Sequence, residues 1–214
     1  MVLLSVVGSL IGAATPWLAL APILAMALPL LAATAFLHRT GTSWRDLGFL
    51  RPMPFGRFLG LALGATASVI LVTSFVVTPL LRALGAPPVD PTLLVDAIEG
   101  NTAVYLMFLI PVTWGSAAFG EELLARGFLL QRFELLTRST AGAVVLQALL
   151  FALGHGYQGI TGVLSLFVVG LILGYFYLRA GRNLWPVIVA HGLIDTISIT
   201  LVYLGYGQPA PTGG

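Results

Sequence analysis

Apolar runs of membrane-spanning length, broken only by short polar stretches, constrain this chain more than any other feature. The first goes from Val2 to Leu37 and the next from about Phe58 to Leu81. A bilayer span needs about 20 apolar residues. Hydrophobic residues make up 58% of the 214 and charged residues only 8%, against about 25% in a soluble domain. Eighteen charges cannot cover a globule of this size, so a soluble fold and a disordered chain are both excluded. The runs are continuous rather than alternating, which argues for helices and against a β-barrel.

The expected fold is therefore all-α, a polytopic transmembrane helical bundle of about seven helices (six to eight), with 1–214 as a single integral membrane domain. Thr15-Pro16 and Ala21-Pro22 interrupt the first run, giving two helices, roughly 2–14 and 17–37. Further spans are expected at 58–81, 102–137 with a kink at Pro111, 140–155, 162–179 and 184–204. Gly60 and Gly64 stand four apart, a spacing that lets helix backbones approach closely. Residues 85–101 read as a loop, and the Pro/Gly-rich tail 207–214 as disordered. The N-terminus lacks the basic region of a cleaved signal peptide, so the first run is expected to be retained.

Charge sets the orientation. All ten basic residues are Arg, and they gather between apolar runs, the pattern of membrane topology rather than of a nucleic-acid surface. Loops 38–57 and 179–183 and the segment holding Arg132 and Arg138 are basic and expected to be cytoplasmic. Segments 82–102 and 156–161 carry only Arg82 and are otherwise acidic or neutral, so the C-terminus falls outside. Cysteine is absent, which excludes disulfides, Cys-based zinc sites, a thiol nucleophile and lipidation of the chain's own Cys.

Ionisable residues inside membrane spans are costly and mark functional sites. Three groups stand out. In Glu121-Glu122-Leu123-Leu124-Ala125-Arg126, Glu122 and Arg126 are four apart and share a face. Glu121 points about 100° away. One carboxylate can thus be held by Arg126 while the other faces a cavity, where it suits a general base. In Phe151-Ala152-Leu153-Gly154-His155 the ring and the imidazole share a face. In His191-Gly192-Leu193-Ile194-Asp195 the carboxylate can orient the imidazole or join it in binding an oxyanion. Glu121 lies 17 residues before the turn at Arg138 and His155 lies 17 after it. In a helical hairpin both then stand about 25 Å from the turn. His191 fits less well: counted from the Arg182 turn it sits lower than His155 if both turns are level, unless the long helix extends below the membrane surface or the glycine-rich stretch 154–162 is irregular.

On these residues alone two chemistries are open, activation of water for hydrolysis with or without a metal and proton relay in a transporter. There is no His-Glu-x-x-His helix and no Gly-x-Ser-x-Gly elbow. No inverted repeat favours the transporter.

The three groups, in this order on successive helices, resemble the CPBP family of type II CAAX prenyl endopeptidases and bacteriocin-processing (Abi) proteins. So do Leu173–Arg179, Leu184–His191 and the loop Trp44-Arg45-Asp46-Leu47-Gly48-Phe49. The match is strongest over 115–200, the expected catalytic core. The resemblance implies an intramembrane endopeptidase of glutamate or metallo type, acting on a peptide or protein, lipid-modified or not, with membrane lipid around it and no nucleic acid. It implies Glu121 as general base with His155, Glu122 and Arg126 holding their helix, His191 and Asp195 as the oxyanion pair, and Phe151 beside the substrate. Asp195 stands where the family commonly has Asn. An ionised Asp would repel an oxyanion, so Asp195 is either protonated or orients His191. The resemblance leaves a metal cofactor open: a zinc-like divalent ion would have Glu121, His155 and His191 as candidate ligands. A non-proteolytic member acting by binding, such as a bacteriocin-immunity factor, shares the fold. The all-Arg basic composition points to a prokaryotic inner membrane.

Overall fold

The computed structural model describes residues 20–206. All regular structure among them is helical. In chain order the helices are α1 Leu20–Arg39, α2 Phe55–Ala83, α3 Thr92–Ile98, α4 Thr102–Thr137, α5 Thr140–Gly154, α6 Gly159–Arg179 and α7 Trp185–Tyr203. Five of them, α1, α2, α4, α6 and α7, are long and apolar enough to cross a membrane; α5 is apolar but shorter. The expected helix 17–37 is α1. The expected helix 2–14 and the tail 207–214 lie outside the described residues.

Local chemistry explains most boundaries. Asn101 caps α4 by accepting from the Val104 N–H, and Ser139 caps α5 by accepting from Gly142. Arg138 takes a left-handed conformation (φ 53°) between them and closes the hairpin. Pro186 occupies the first turn of α7, where its missing N–H costs nothing. The stretch expected as loop 85–101 contains α3, which the sequence reading missed. It is short and amphipathic, and it buries Val95, Ala97 and Ile98 against α4 and Ile199 of α7.

In α4, around and after Pro111, the turns widen to i→i+5 bonding over Phe108–Glu121 and again over Leu123–Leu129. Proline removes a backbone donor, and wide turns of this kind cluster at functional sites. The second helix also carries a wide turn, Thr73–Val77.

Burial separates centre from periphery. In α7, 39% of the most apolar window is buried, and in α1 only 11%, so α7 is the central helix and α1 an outer one. The core joins Ala65 and Val69 of α2, Leu123 and Leu130 of α4, and Leu173 and Tyr177 of α6. Outward faces carry exposed Leu24, Leu28, Phe75, Leu150 and Leu153, as helices in lipid do. Gly64 fulfils the expected close approach, since a Cβ there would stand 3.3 Å from the Phe176 ring. Gly60 faces open space and does not.

The two ends of the bundle differ in charge. At one end the loop after α1 is stitched to the α6–α7 turn. Arg51 donates to the Gly181 carbonyl at 2.8 Å, Asn183 to the Arg51 carbonyl at 2.7 Å, and the Leu184 N–H to the Gly48 carbonyl at 3.2 Å. A Cβ on Gly48 (φ 100°) would lie 1.7 Å from the Arg182 carbonyl oxygen, so only glycine fits. At the other end α3 meets the end of α7, the Gly100 N–H donating to the Tyr203 carbonyl at 3.1 Å. Arg39, Arg45, Arg51, Arg57, Arg179 and Arg182 all belong to the first end, and Asp90, Asp96 and Glu99 to the second.

Candidate active site

The three polar groups converge where α4, α5 and α7 meet. Their side chains form a buried layer and a partly exposed one. Glu122 and Arg126 are fully buried and paired at 2.6 Å on α4. The imidazole of His191, on α7, reaches the same carboxylate: Nδ1 lies 2.9 Å from Glu122 Oε1. Above this layer stand Glu121, His155 and Asp195, whose side chains are 18%, 19% and 35% exposed. His155 Nε2 is 3.8 Å from one oxygen of Glu121, and His191 Nε2 is 4.0 Å from the other. His191 Nε2 is also 3.5 Å from Asp195 Oδ2.

Proton positions follow from the partners. A carbonyl can only accept, so His155 Nδ1, 2.9 Å from the Phe151 carbonyl, carries the hydrogen. In the neutral ring Nε2 then presents a lone pair towards Glu121. A carboxylate likewise accepts, so His191 Nδ1 donates to Glu122. The Phe151 ring fills the space between the groups. It lies 4.9 Å from the His155 ring, 6.2 Å from the His191 ring, and 4.9 Å beneath the Arg126 guanidinium, a cation–π contact.

The helices are held close by small residues at this level. A Cβ on Gly192, next to His191, would fall 2.5 Å from the Trp114 ring, so α4 packs flat against α7 there. A Cβ on Gly170 would fall 2.8 Å from Ala148, bringing α5 and α6 into backbone contact. The guanidinium of Arg126 uses that opening to donate to the Gly170 carbonyl at 3.3 Å.

All six residues singled out from the sequence, with Phe151, thus meet at one place. The mismatch in height expected for His191 is relieved, since its Nε2 lies 4.0 Å from Glu121. Arg182 pairs with Glu134 at 2.9 Å, one helical turn before Arg138, which offsets the α6–α7 turn by about 6 Å and accounts for about half of the expected mismatch. What sequence reasoning missed is that Glu122 serves both Arg126 and His191. It also missed Gln147, fully buried on α5. The signal for Gln147 was present, a lone amide in an apolar run four residues before Phe151.

A divalent ion would need three of these side chains to converge. Among the described residues no group of three His, Asp or Glu side chains is placed to hold an ion, and the candidate ligands Glu121, His155 and His191 form no such group as they stand. An apolar hollow of about 250 Å³, lined by Leu30, Thr34, Trp44, Phe49, Phe119 and Leu123, lies on the α1 side of α4 and holds none of these side chains.

Residues 103–197 match the family described as type II CAAX prenyl endopeptidase Rce1-like. The matched segment contains all three polar groups. No curated protein and no solved structure matches the chain.

Proposed function

From a chain whose residues 103–197 carry a type II CAAX prenyl endopeptidase Rce1-like domain, we propose that this membrane protein is an endopeptidase in which Glu121 and His155 activate water. The single observation behind this reading is the gap between them. At 3.8 Å it is too long for a direct hydrogen bond and short enough for one water to bridge both acceptors.

The proposed reaction proceeds from the chain's own groups. A peptide approaches the partly exposed layer formed by Glu121, His155 and Asp195. Glu121 takes a proton from the water while His155 Nε2 accepts the other hydrogen and fixes its direction. The water oxygen attacks the scissile carbonyl carbon, and the carbonyl electrons move to oxygen. His191, protonated at both ring nitrogens, donates from Nε2 to that oxyanion, its ring fixed through Nδ1 by Glu122. The proton held by Glu121 passes to the amide nitrogen, the C–N bond breaks, and a carboxylic acid and an amine leave. Asp195, 3.5 Å from His191 Nε2, orients that imidazolium. Arg126 neutralises Glu122 and keeps that carboxylate from drawing the imidazole away.

The decisive test compares wild type with Glu121→Gln in detergent, on quenched peptides with and without a farnesylated cysteine. Wild type is expected to cleave and the variant to lose at least about a hundredfold in kcat, with an unchanged melting temperature. Each is assayed with and without a chelator. Retained activity supports direct activation of water by the side chains, and loss of activity would require an ion. Full cleavage by Glu121→Gln overturns the assignment of the base, and no cleavage by wild type shifts the reading to a binding role.

A further inference from the structure

Gln147 is the one buried amide side chain on the helix that carries Phe151 and His155, and it stands four and eight residues before them on the same face. Its Nε2 donates to the Gly170 carbonyl of α6 at 3.0 Å and to the Val144 carbonyl of its own helix at 3.0 Å. The Gly170 carbonyl is the same acceptor that takes the Arg126 guanidinium of α4 at 3.3 Å. One backbone oxygen therefore ties three helices together at one level. Gly170 and Gly174 make this contact available: a Cβ on Gly174 would stand 3.1 Å from Gln147 Nε2 and from Val144.

A carboxamide in an apolar interior is costly unless it has a task, because each unmade hydrogen bond there costs about 1–3 kcal/mol. Gln147 Oε1 is indeed without a partner, as is Arg126 Nε beside it. A Leu or Met would fill the same volume without that cost. The residue is thus poorly explained by packing and well explained by the link it makes.

We propose that Gln147 is a positioning residue. It sets α5, and with it His155, in register with the Glu121–Glu122–Arg126 group of α4 by sharing the Gly170 carbonyl. The inference rests on the proteolytic reading for its effect on rate but not for its structural content. Without Gln147, the α5 stripe is released from the acceptor that fixes Arg126, and the Glu121–His155 gap is no longer held at bridging distance. A shift of about 1 Å in such a pair costs on the order of a hundredfold.

The test uses Gln147→Met, of similar length and without donors. Two readouts are taken on the detergent-solubilised full chain. In the peptidase assay, kcat is expected to fall by about ten- to a hundredfold while KM stays within about twofold. Independently, ¹⁵N-histidine spectra report the ring tautomers. The chain has three His, so His38, on the basic end, serves as internal control. The His155 and His191 ring signals are expected to move and the His38 signal to stay. If wild type cleaves nothing, the proteolytic reading fails, and the spectra alone still decide the role of Gln147. Unmoved His155 and His191 signals overturn the proposal, as does a variant that is merely less heat-stable with normal kcat. Should Gln147→Met not fold, Gln147→Glu is measured instead. It keeps the shape, brings a second carboxylate to Arg126, and is expected to move the same two ring signals. If it leaves them in place, the proposal fails as well.

Discussion

At the scale of single residues, the Glu122–Arg126 pair combines the highest cost with the widest reach. Both side chains are fully buried, and Glu122 also holds His191. Removing one partner leaves a bare charge in an apolar interior, which costs about 3–5 kcal/mol. Arg126→Met is therefore expected to lower the melting temperature sharply. The double change Glu122→Leu with Arg126→Met is expected to recover much of that loss while remaining inactive. Thermal unfolding in detergent checks both, and additive losses would contradict the pairing. The i, i+4 relation of Glu122 and Arg126 could be read from the sequence because helix geometry alone fixes it. The grip of Glu122 on His191 could not, because 69 residues and two helix packings separate them.

At the scale of elements, sequence and structure part where backbone bonding leaves the α-helical norm. The limits of α4 agree with the apolar pattern at both ends, Thr102 and Thr137. Its wide turns do not show in that pattern, since periodicity assumes 3.6 residues per turn. Helix α3 was missed for a different reason. Seven residues between prolines and a glycine hold too few apolar positions to show a period. The loop motif Trp44–Phe49 gains a meaning from its packing. Gly48 receives the Leu184 N–H at the start of α7, two turns before His191. Gly48→Ala would drive a methyl into the Arg182 carbonyl and strain a left-handed backbone. We expect a loss of about 1–3 kcal/mol in stability, read by thermal unfolding, together with reduced cleavage. Normal values for both would mean that the loop does not set the height of α7.

At the scale of the whole molecule, the excess of arginines at one end and of acids at the other gives the orientation a physical basis. The basic end is expected to face the cytoplasm. The absence of cysteine makes this simple to check. In intact cells, Arg45→Cys is expected to resist an impermeant maleimide and Asp96→Cys to react; the reverse pattern would invert the topology. A further consequence lies in α5. Its 15 residues span about 22 Å, against about 30 Å of hydrocarbon. Its outer face, Val145, Leu149, Leu150 and Leu153, is open to lipid. Acyl chains beside it must compress to meet its polar end, at a cost of fractions of a kcal/mol per Å of mismatch. The bilayer is therefore expected to thin on the flank where His155 stands, which would make membrane thickness a variable for this protein.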